Sequence, residues 1–170
     1  LILFLLLYSC VTTLDSEPEI TPGPKKTPKK AKQLEIEKDI HSLKEVFKDY
    51  FLIGAAIEPS QLKRISHQEL IKKHFNSITA ENSMKPSSLQ RKEGEFTFTG
   101  ADTLVQFARE NNIKLRGHVL IWHQQVPNWF FVENGQPASK ETLRKRMKTH
   151  ITTEMERYKG QIYAWDVVNE

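Results

Sequence analysis

The chain has 170 residues, of which 38% are hydrophobic and 27% charged, and its formal net charge is +4. This composition excludes a collagen-like, low-complexity or wholly disordered protein, and the single cysteine excludes a disulfide scaffold or a cysteine-rich metal module. The positive charge is too small and too dispersed along the chain to indicate nucleic-acid binding.

Residues 1–14 are interpreted as the remnant of a secretory signal peptide. Leu1–Leu7 is an unbroken apolar run, far shorter than the roughly 20 residues of a membrane span. A buried N-terminal strand is the weaker alternative, because the polar stretch that follows supplies no core. Leu7, Ser9 and Cys10 also match a bacterial lipoprotein signal, in which Cys10 would carry the lipid. Lipidation and simple secretion both remain open.

Residues 15–33 are predicted to form an extended, solvated linker. Four prolines and five lysines lie in this stretch. The prolines remove backbone hydrogen-bond donors, and the lysines repel one another. We expect the linker to act as a tether rather than as a binding surface for an acidic partner.

From residue 34 onward, predicted strands alternate with predicted helices. Apolar runs predict strands at 51–56, 75–79, 113–121 and 161–168. Ser66 with Glu69 is a predicted capping box, and Ser139 is the predicted N-cap of the last helix. The helices are predicted from apolar faces with a period of 3.6 residues: Ile36, Ile40, Leu43, Phe47 and Tyr50; Ala101, Leu104, Val105 and Ala108; Leu143, Met147, Ile151 and Met155.

This alternation implies an α/β fold with a parallel sheet and right-handed crossovers. Two architectures fit, namely a complete doubly wound sheet or the first half of a (β/α)8 TIM barrel. Residues 34–170 amount to about half of the roughly 250 residues of a barrel. The chain also begins without Met and stops at the end of a predicted strand. We therefore expect a partial sequence that covers four β/α units of a barrel.

The ends of three predicted strands carry side chains that suit a sugar ligand, in the region where active sites of parallel α/β proteins lie. From the residues alone, Glu81 and Glu170 form the candidate carboxylate pair. One intervening strand would put their backbones roughly 9–10 Å apart. This separation is a poor fit to the carboxyl pair of a retaining glycosidase and an acceptable fit to that of an inverting one. The polar and aromatic groups are Glu81, Asn82 and Lys85, then His118, Trp122, His123 and Gln125, and finally Asn169 and Glu170.

A metal or dinucleotide site has little support. His118 and His123 are expected to face opposite sides of a strand, and neither H-E-x-x-H nor C-x-x-C occurs. Gly54-Ala55-Ala56 lacks the spacing of a glycine-rich phosphate loop.

Four sequence blocks resemble family-10 glycoside hydrolases, which are mostly endo-1,4-β-xylanases. The resemblance runs from about Leu43 to Glu170, with the blocks in the family's order and spacing. It implies a (β/α)8 barrel that hydrolyses internal β-1,4 bonds of xylan with retention. The blocks are Ile53–Ala56, Phe75–Lys85, Arg116–His123 and Trp165–Glu170.

The resemblance also implies a role for each candidate residue. Glu170 corresponds to the general acid/base, and Asn169 to the amide that contacts the 2-hydroxyl of the sugar being cleaved. Gln124 stands where the family often has Ser. Glu81 is thereby reassigned from catalysis to sugar binding. The residues that correspond to the cleavage subsite are His118 and Trp122, and those that correspond to sugar binding on the non-reducing side are Glu81, Asn82, Lys85 and Gln125.

The family's nucleophile is a Glu after the seventh strand, which this chain does not include. We therefore expect the 170-residue chain alone to be inactive and to fold poorly, because half a barrel leaves strand edges unpaired. The signal-peptide remnant and the polymeric substrate together predict a secreted or cell-surface protein, which we expect to be a monomer that acts on xylan or xylo-oligosaccharides. We expect no cofactor, metal ion or nucleic-acid partner. A lipid on Cys10 would add membrane anchoring.

Three alternatives remain from the sequence. One is a non-catalytic polysaccharide-binding protein on the same scaffold. Another is a self-contained doubly wound domain that binds a small ligand or a nucleotide. Within the family, an exo-acting or cellulose-active enzyme is a further alternative.

Overall fold

The computed structural model describes residues 41–170. The signal-peptide interpretation, Cys10, the 15–33 linker, Ile36 and Ile40 lie outside the described residues. Four parallel strands form the central sheet, in the order β1, β2, β3, β6. Their bounds are β1 Gly54–Ile57, β2 Ser77–Ala80, β3 Lys114–Ile121 and β6 Ala164–Val168.

The strand order distinguishes between the two predicted architectures. Each strand pairs in parallel with the next one along the chain, as in Ile57 with Ala80, Ser77 with Lys114, and His118 with Asp166. A doubly wound sheet reverses its strand order at a switch point, whereas a barrel adds each new strand at the same edge. The described sheet has no reversal, so it has the order expected for the first half of a barrel.

Within the described residues, five helices accompany the sheet. They are α1 Leu43–Val46, α2 Ile65–His74, α3 Pro86–Leu89, α4 Thr99–Glu110 and α5 Lys140–Arg157. Single 3-10 turns lie at Gln61–Lys63 and Asn128–Phe130, and a two-stranded hairpin is formed by β4 Val132–Glu133 and β5 Gln136–Pro137. None of the helices within residues 41–170 is both long and apolar enough to cross a membrane.

The two faces of the sheet have different chemistry. Along β3, Leu115, Gly117 and Val119 are buried, while Lys114 and Arg116 on the opposite face are exposed. The buried face packs on the helices in one apolar cluster that includes Ile71 of α2, Leu104 and Phe107 of α4, and Tyr158 after α5. The opposite face is the one that lines the interior when such a sheet closes.

Gly117 is required by the close approach of β6 to β3. Gly117 pairs with Trp165, and a Cβ atom built at Gly117 would collide with the indole ring of Trp165. Trp165 packs against the apolar cluster. The absence of a side chain on one strand therefore makes room for the large side chain on the next.

The predicted strands are confirmed, with shifted ends. β1 begins at Gly54, and Phe51 and Leu52 before it are exposed. The predicted helix around Leu43–Tyr50 is reduced to the single turn of α1, and its apolar side chains Leu43 and Tyr50 are exposed. Ser139 caps α5 as predicted, because its Oγ accepts the Thr142 backbone N–H at 3.1 Å.

Two details of the helix prediction are wrong. The Ser66–Glu69 capping box does not form, because α2 begins at Ile65 and Ser66 lies inside its first turn. The predicted apolar face of α5 is not its buried face, since Met147 and Met155 are exposed. The fully buried side chains of α5 are His150 and Glu154 instead.

Candidate active site

The carboxyl ends of β2, β3 and β6 lie at one edge of the sheet, because parallel strands end on the same side. Backbone hydrogen bonds connect these ends. The Asn169 N–H donates to the Ile121 carbonyl at 2.9 Å, and the Ser87 N–H donates to the Gln125 carbonyl at 2.9 Å. The loops that carry the candidate residues are therefore neighbours, as the sequence predicted.

Lys85 connects two of these loops. Its side chain is largely buried, with only 7% of the residue exposed. The ammonium group donates to Oδ1 of Asn82 at 2.9 Å and lies 5.1 Å from the ring centroid of Trp122. A buried ammonium needs such partners, and they orient both the Asn82 amide and the Trp122 ring.

Trp122 is the centre of the cluster. Its ring centroid lies 6.4 Å from that of His118 and 6.0 Å from that of His123. Its indole N–H donates to the backbone carbonyl of Glu170. Trp122 thus contacts the end of β6 as well as the residues that follow β2, and an indole of this kind offers an apolar face for a sugar ring.

His118 is held by Asp166, a residue that was not a candidate from sequence. Nδ1 of His118 lies 3.0 Å from Oδ2 of Asp166, and Arg116 forms an ion pair with the same carboxylate. The hydrogen bond from the Arg116 guanidinium is the main cause that lowers the pKa of Asp166. The contact with Asp166 fixes the orientation of the His118 imidazole ring.

The remaining candidates lie at the same edge with more exposed side chains. Glu81, Gln125 and Glu170 are exposed, and Asn169 is half-buried. Gln125 has a positive φ of 50°, which turns the chain sharply after β3. β2 and β6 flank β3, so one strand separates Glu81 from Glu170 as predicted. Among residues 41–170, no group of three His, Cys, Asp or Glu side chains could hold a metal ion.

Comparison with known proteins assigns the family. The model of glycosyl hydrolase family 10 matches residues 42–170. The chain belongs to glycosyl hydrolase family 10. The family-10 match covers every candidate residue from Glu81 to Glu170 and all four strands of the described sheet.

Curated family-10 relatives share about half of the matched residues. The chain is 50% identical over 148 residues to endo-1,4-beta-xylanase A of Thermoanaerobacterium saccharolyticum. The matched segment covers 81% of this chain and 13% of the relative. It is also 50% identical over 148 residues to exoglucanase XynX of Acetivibrio thermocellus, with coverage of 81% and 14%. The chain therefore spans only a small part of these relatives.

Solved structures support the barrel architecture. Xylanase B from Clostridium stercorarium F9 superposes with a TM-score of 0.73 at 47% identity, over 77% of this chain and 42% of that chain. The family-10 chain described here therefore has the fold of a partial (β/α)8 barrel, and the prediction of fold and family is confirmed.

The one signal for Asp166 in the sequence is its place in a block that also carries Asn169 and Glu170. It lies four residues before Glu170, within the same Trp165–Glu170 block. Its neighbour across the strands is His118. Asp166 lies inside β6, and its contact with His118 depends on the register between β3 and β6.

Proposed function

We propose that this chain supplies the N-terminal half of a retaining endo-1,4-β-xylanase. The observation that carries the proposal is the cluster around Trp122, which joins Lys85 and His118 to the backbone of Glu170. These residues belong to three different strand ends, and they bring together an indole, an imidazole, an ammonium and the backbone carbonyl of Glu170. The xylanase names of the family-10 relatives support xylan as the substrate.

In this proposal Glu170 is the acid/base. Its carboxyl group protonates the oxygen of the scissile glycosidic bond while a Glu of the downstream half of the barrel attacks the anomeric carbon. Water then releases the sugar, and Glu170 takes the proton from that water. The exposed side chain of Glu170 at the end of β6 gives it access to both the leaving group and the water.

The other candidates bind and orient xylan. Asn169 contacts the 2-hydroxyl of the sugar being cleaved, and His118 and Trp122 line the cleavage subsite. Lys85 and Asn82, which are hydrogen-bonded to each other, bind the sugar on the non-reducing side together with Glu81 and Gln125. Asp166 is a positioning residue that acts through His118.

The proposed enzyme acts outside the cell, because xylan is a polymer that cannot enter it. The apolar run at Leu1–Leu7 supports secretion, and Cys10 after it would carry a lipid if the protein is anchored. The 15–33 linker would then hold a monomeric barrel away from the membrane. Membrane association that is unchanged by Cys10→Ser would argue against the lipid.

The experiment requires the complete barrel, obtained by extending the reading frame beyond the Glu170 codon. We expect it to release reducing sugar from xylan, with much weaker release from cellulose. Glu170→Gln should abolish the activity, whereas Glu156→Gln, an exposed residue on α5, should leave it unchanged. Cellulose as the better substrate would favour the exoglucanase activity named for one relative. Failure on both polymers would contradict the proposed function.

A further inference from the structure

The proposed binding residues on the non-reducing side lie in two loops. The β2 loop, residues 81–95, carries Asn82 and Lys85, and the β3 loop, residues 122–139, carries Gln125. Each loop follows the strand for which it is named and leads towards a helix, α4 or α5. The shape of the sugar site therefore depends on how the two loops are held against each other.

Arg146, on α5, contacts both loops. Its Nε and Nη2 each donate to one carboxylate oxygen of Glu93 in the β2 loop, both at 2.7 Å. Its Nη1 donates to the backbone carbonyls of Phe130 at 3.2 Å and Val132 at 3.1 Å in the β3 loop. One guanidinium group therefore connects α5 to both loops.

This connection fixes direction as well as distance. A guanidinium is planar, and two parallel hydrogen bonds to one carboxylate set the angle between the two groups. The Arg146 side chain is only 9% exposed, and its guanidinium carbon lies 5.5 Å from the ring centroid of Trp129. The Trp129 indole N–H in turn donates to the Gln90 carbonyl at 3.2 Å. Arg146 and Trp129 therefore both join the β3 loop to the β2 loop.

The loops are not held here by dense packing. An open pocket of about 600 Å³ lies between the two loops and α5, and its lining includes Gln90, Glu93, Trp129, Val132 and Arg146. Because side chains do not fill this space, hydrogen bonds rather than apolar contacts set the spacing of the loops at this point.

The contact with Arg146 reaches the sugar site through a short segment. Only Val126–Trp129 separates Gln125 from Phe130. Pro127 fixes one φ angle in this segment, and a 3-10 turn follows it directly. The Gln125 carbonyl accepts the Ser87 N–H of the β2 loop at 2.9 Å. A shift of Phe130 would therefore move Gln125 relative to the β2 loop.

We propose that Arg146 and Glu93 are positioning residues for xylan binding. The pair holds the β3 loop against the β2 loop, so that Gln125 meets the sugar bound at Asn82 and Lys85. Neither member of the pair contacts the sugar. Because the Glu93 side chain is 54% exposed, its ion pair adds little to the free energy of unfolding, and its effect is on the position of the loops. The inference rests on the proposed function, because it takes xylan as the ligand of these loops.

Steady-state kinetics of the complete barrel on xylan separate positioning from catalysis. Arg146→Lys keeps the charge but loses the planar fork, and Glu93→Gln loses the charge and one acceptor. We expect each variant to raise KM about five- to tenfold with kcat within about twofold of the wild type, because binding of substrate and transition state is weakened equally. The double variant should have the KM of Arg146→Lys within about twofold, since both substitutions break the same contact.

Arg157 and Asp102 provide the matched control. They form a second bidentate ion pair, in which Nε of Arg157 donates to Oδ1 of Asp102 at 2.9 Å and Nη2 donates to Oδ2. This pair joins α5 to α4 rather than to either loop. Arg157→Lys and Asp102→Asn should leave KM and kcat within about twofold of the wild type.

Urea unfolding checks that every variant is folded under the assay conditions. Should Arg146→Lys unfold, Glu93→Gln, which changes an exposed side chain, decides the result alone. The positioning role is overturned if the folded variants keep the wild-type KM, if kcat falls while KM stays unchanged, or if the control variants raise KM equally.

A separate measurement distinguishes failure of the positioning role from failure of the proposed function. A barrel that does not hydrolyse xylan would refute the proposed function. The affinity of the Glu170→Gln barrel for xylotriose, measured by titration calorimetry, would then decide the positioning role. A loss of affinity of about five- to tenfold in Arg146→Lys would support that role, and equal affinities or no binding would refute it.

Discussion

Glu154 provides the sharpest test of the packing of α5. Glu154 and His150 are both fully buried, and Oε2 of Glu154 lies 3.7 Å from Nε2 of His150, beyond hydrogen-bond distance. Neither carboxyl oxygen has a hydrogen-bond partner among residues 41–170. Burial raises the pKa of Glu154 to about 9 and lowers the pKa of His150 to about 4. The pair is therefore neutral at pH 7 rather than an ion pair.

These shifts give the free energy of unfolding a defined pH dependence. Between pH 4.5, the ordinary pKa of Glu154, and about pH 9, the folded protein holds a proton that the unfolded chain has lost. Stability due to Glu154 therefore falls by about 1.4 kcal/mol for each unit that the pH rises. His150 contributes only below its ordinary pKa of 6.5, where stability falls as the pH falls. Above pH 6.5 Glu154 acts alone, and the stability lost from pH 6.5 to 8.5 is about 2–3 kcal/mol.

The substitution Glu154→Leu removes this loss. Urea unfolding of the complete barrel at pH 6.5, 7.5 and 8.5 would compare the variant with the wild type, so that all other titrating groups cancel. We expect the free-energy advantage of the variant over the wild type to grow by about 2–3 kcal/mol between pH 6.5 and 8.5. Thr152→Leu, at an exposed position on the same helix, should show no such growth. A difference for Glu154→Leu that stays constant with pH would refute a neutral, buried Glu154.

Three further predictions follow from contacts in and near the site. Asp166→Asn should lower kcat/KM on xylan at least about tenfold and alter the pH profile of kcat/KM, because the charge that holds Nδ1 of His118 is lost. An unchanged pH profile would contradict a positioning role for Asp166. Lys85→Met should raise KM for xylan about five- to thirtyfold, since Asn82 and Trp122 lose a shared partner worth about 1–2 kcal/mol. A KM equal to that of the wild type in steady-state kinetics would contradict this. Gly117→Ala should lower the free energy of unfolding by about 1–3 kcal/mol through its collision with Trp165, and equal urea midpoints would contradict it.

The four strands and the site edge could be predicted because their signals are local. Apolar runs of five to nine residues marked each strand, and the polar residues after them marked the edge. Ser139 likewise predicted the start of α5, since an N-cap hydrogen bond depends only on residues within one helical turn. The hairpin of β4 and β5 was not predicted, although the dipeptide Asn134-Gly135 is a local hairpin signal. Both residues have a positive φ in the structure.

The buried face of α5 and the role of Asp166 depend on long-range contacts. Hydropathy marks Met147 and Met155 as the core face and treats His150 and Glu154 as solvent-facing, but packing buries the polar pair. His150 is retained there by Nδ1 at 3.1 Å from Oε1 of Gln90, 60 residues away. Asp166 faces His118 across two paired strands. Neither relation follows from spacing along one segment.

The measurement that most directly tests the proposed mechanism is the anomeric configuration of the first product. Proton NMR of the complete barrel acting on xylotetraose would follow the new reducing end before it mutarotates. A retaining enzyme in which Glu170 works with a downstream nucleophile releases the β-anomer first. Initial release of the α-anomer would contradict retention and would restore Glu81 and Glu170 as an inverting pair. No hydrolysis at all would contradict the catalytic assignment of Glu170.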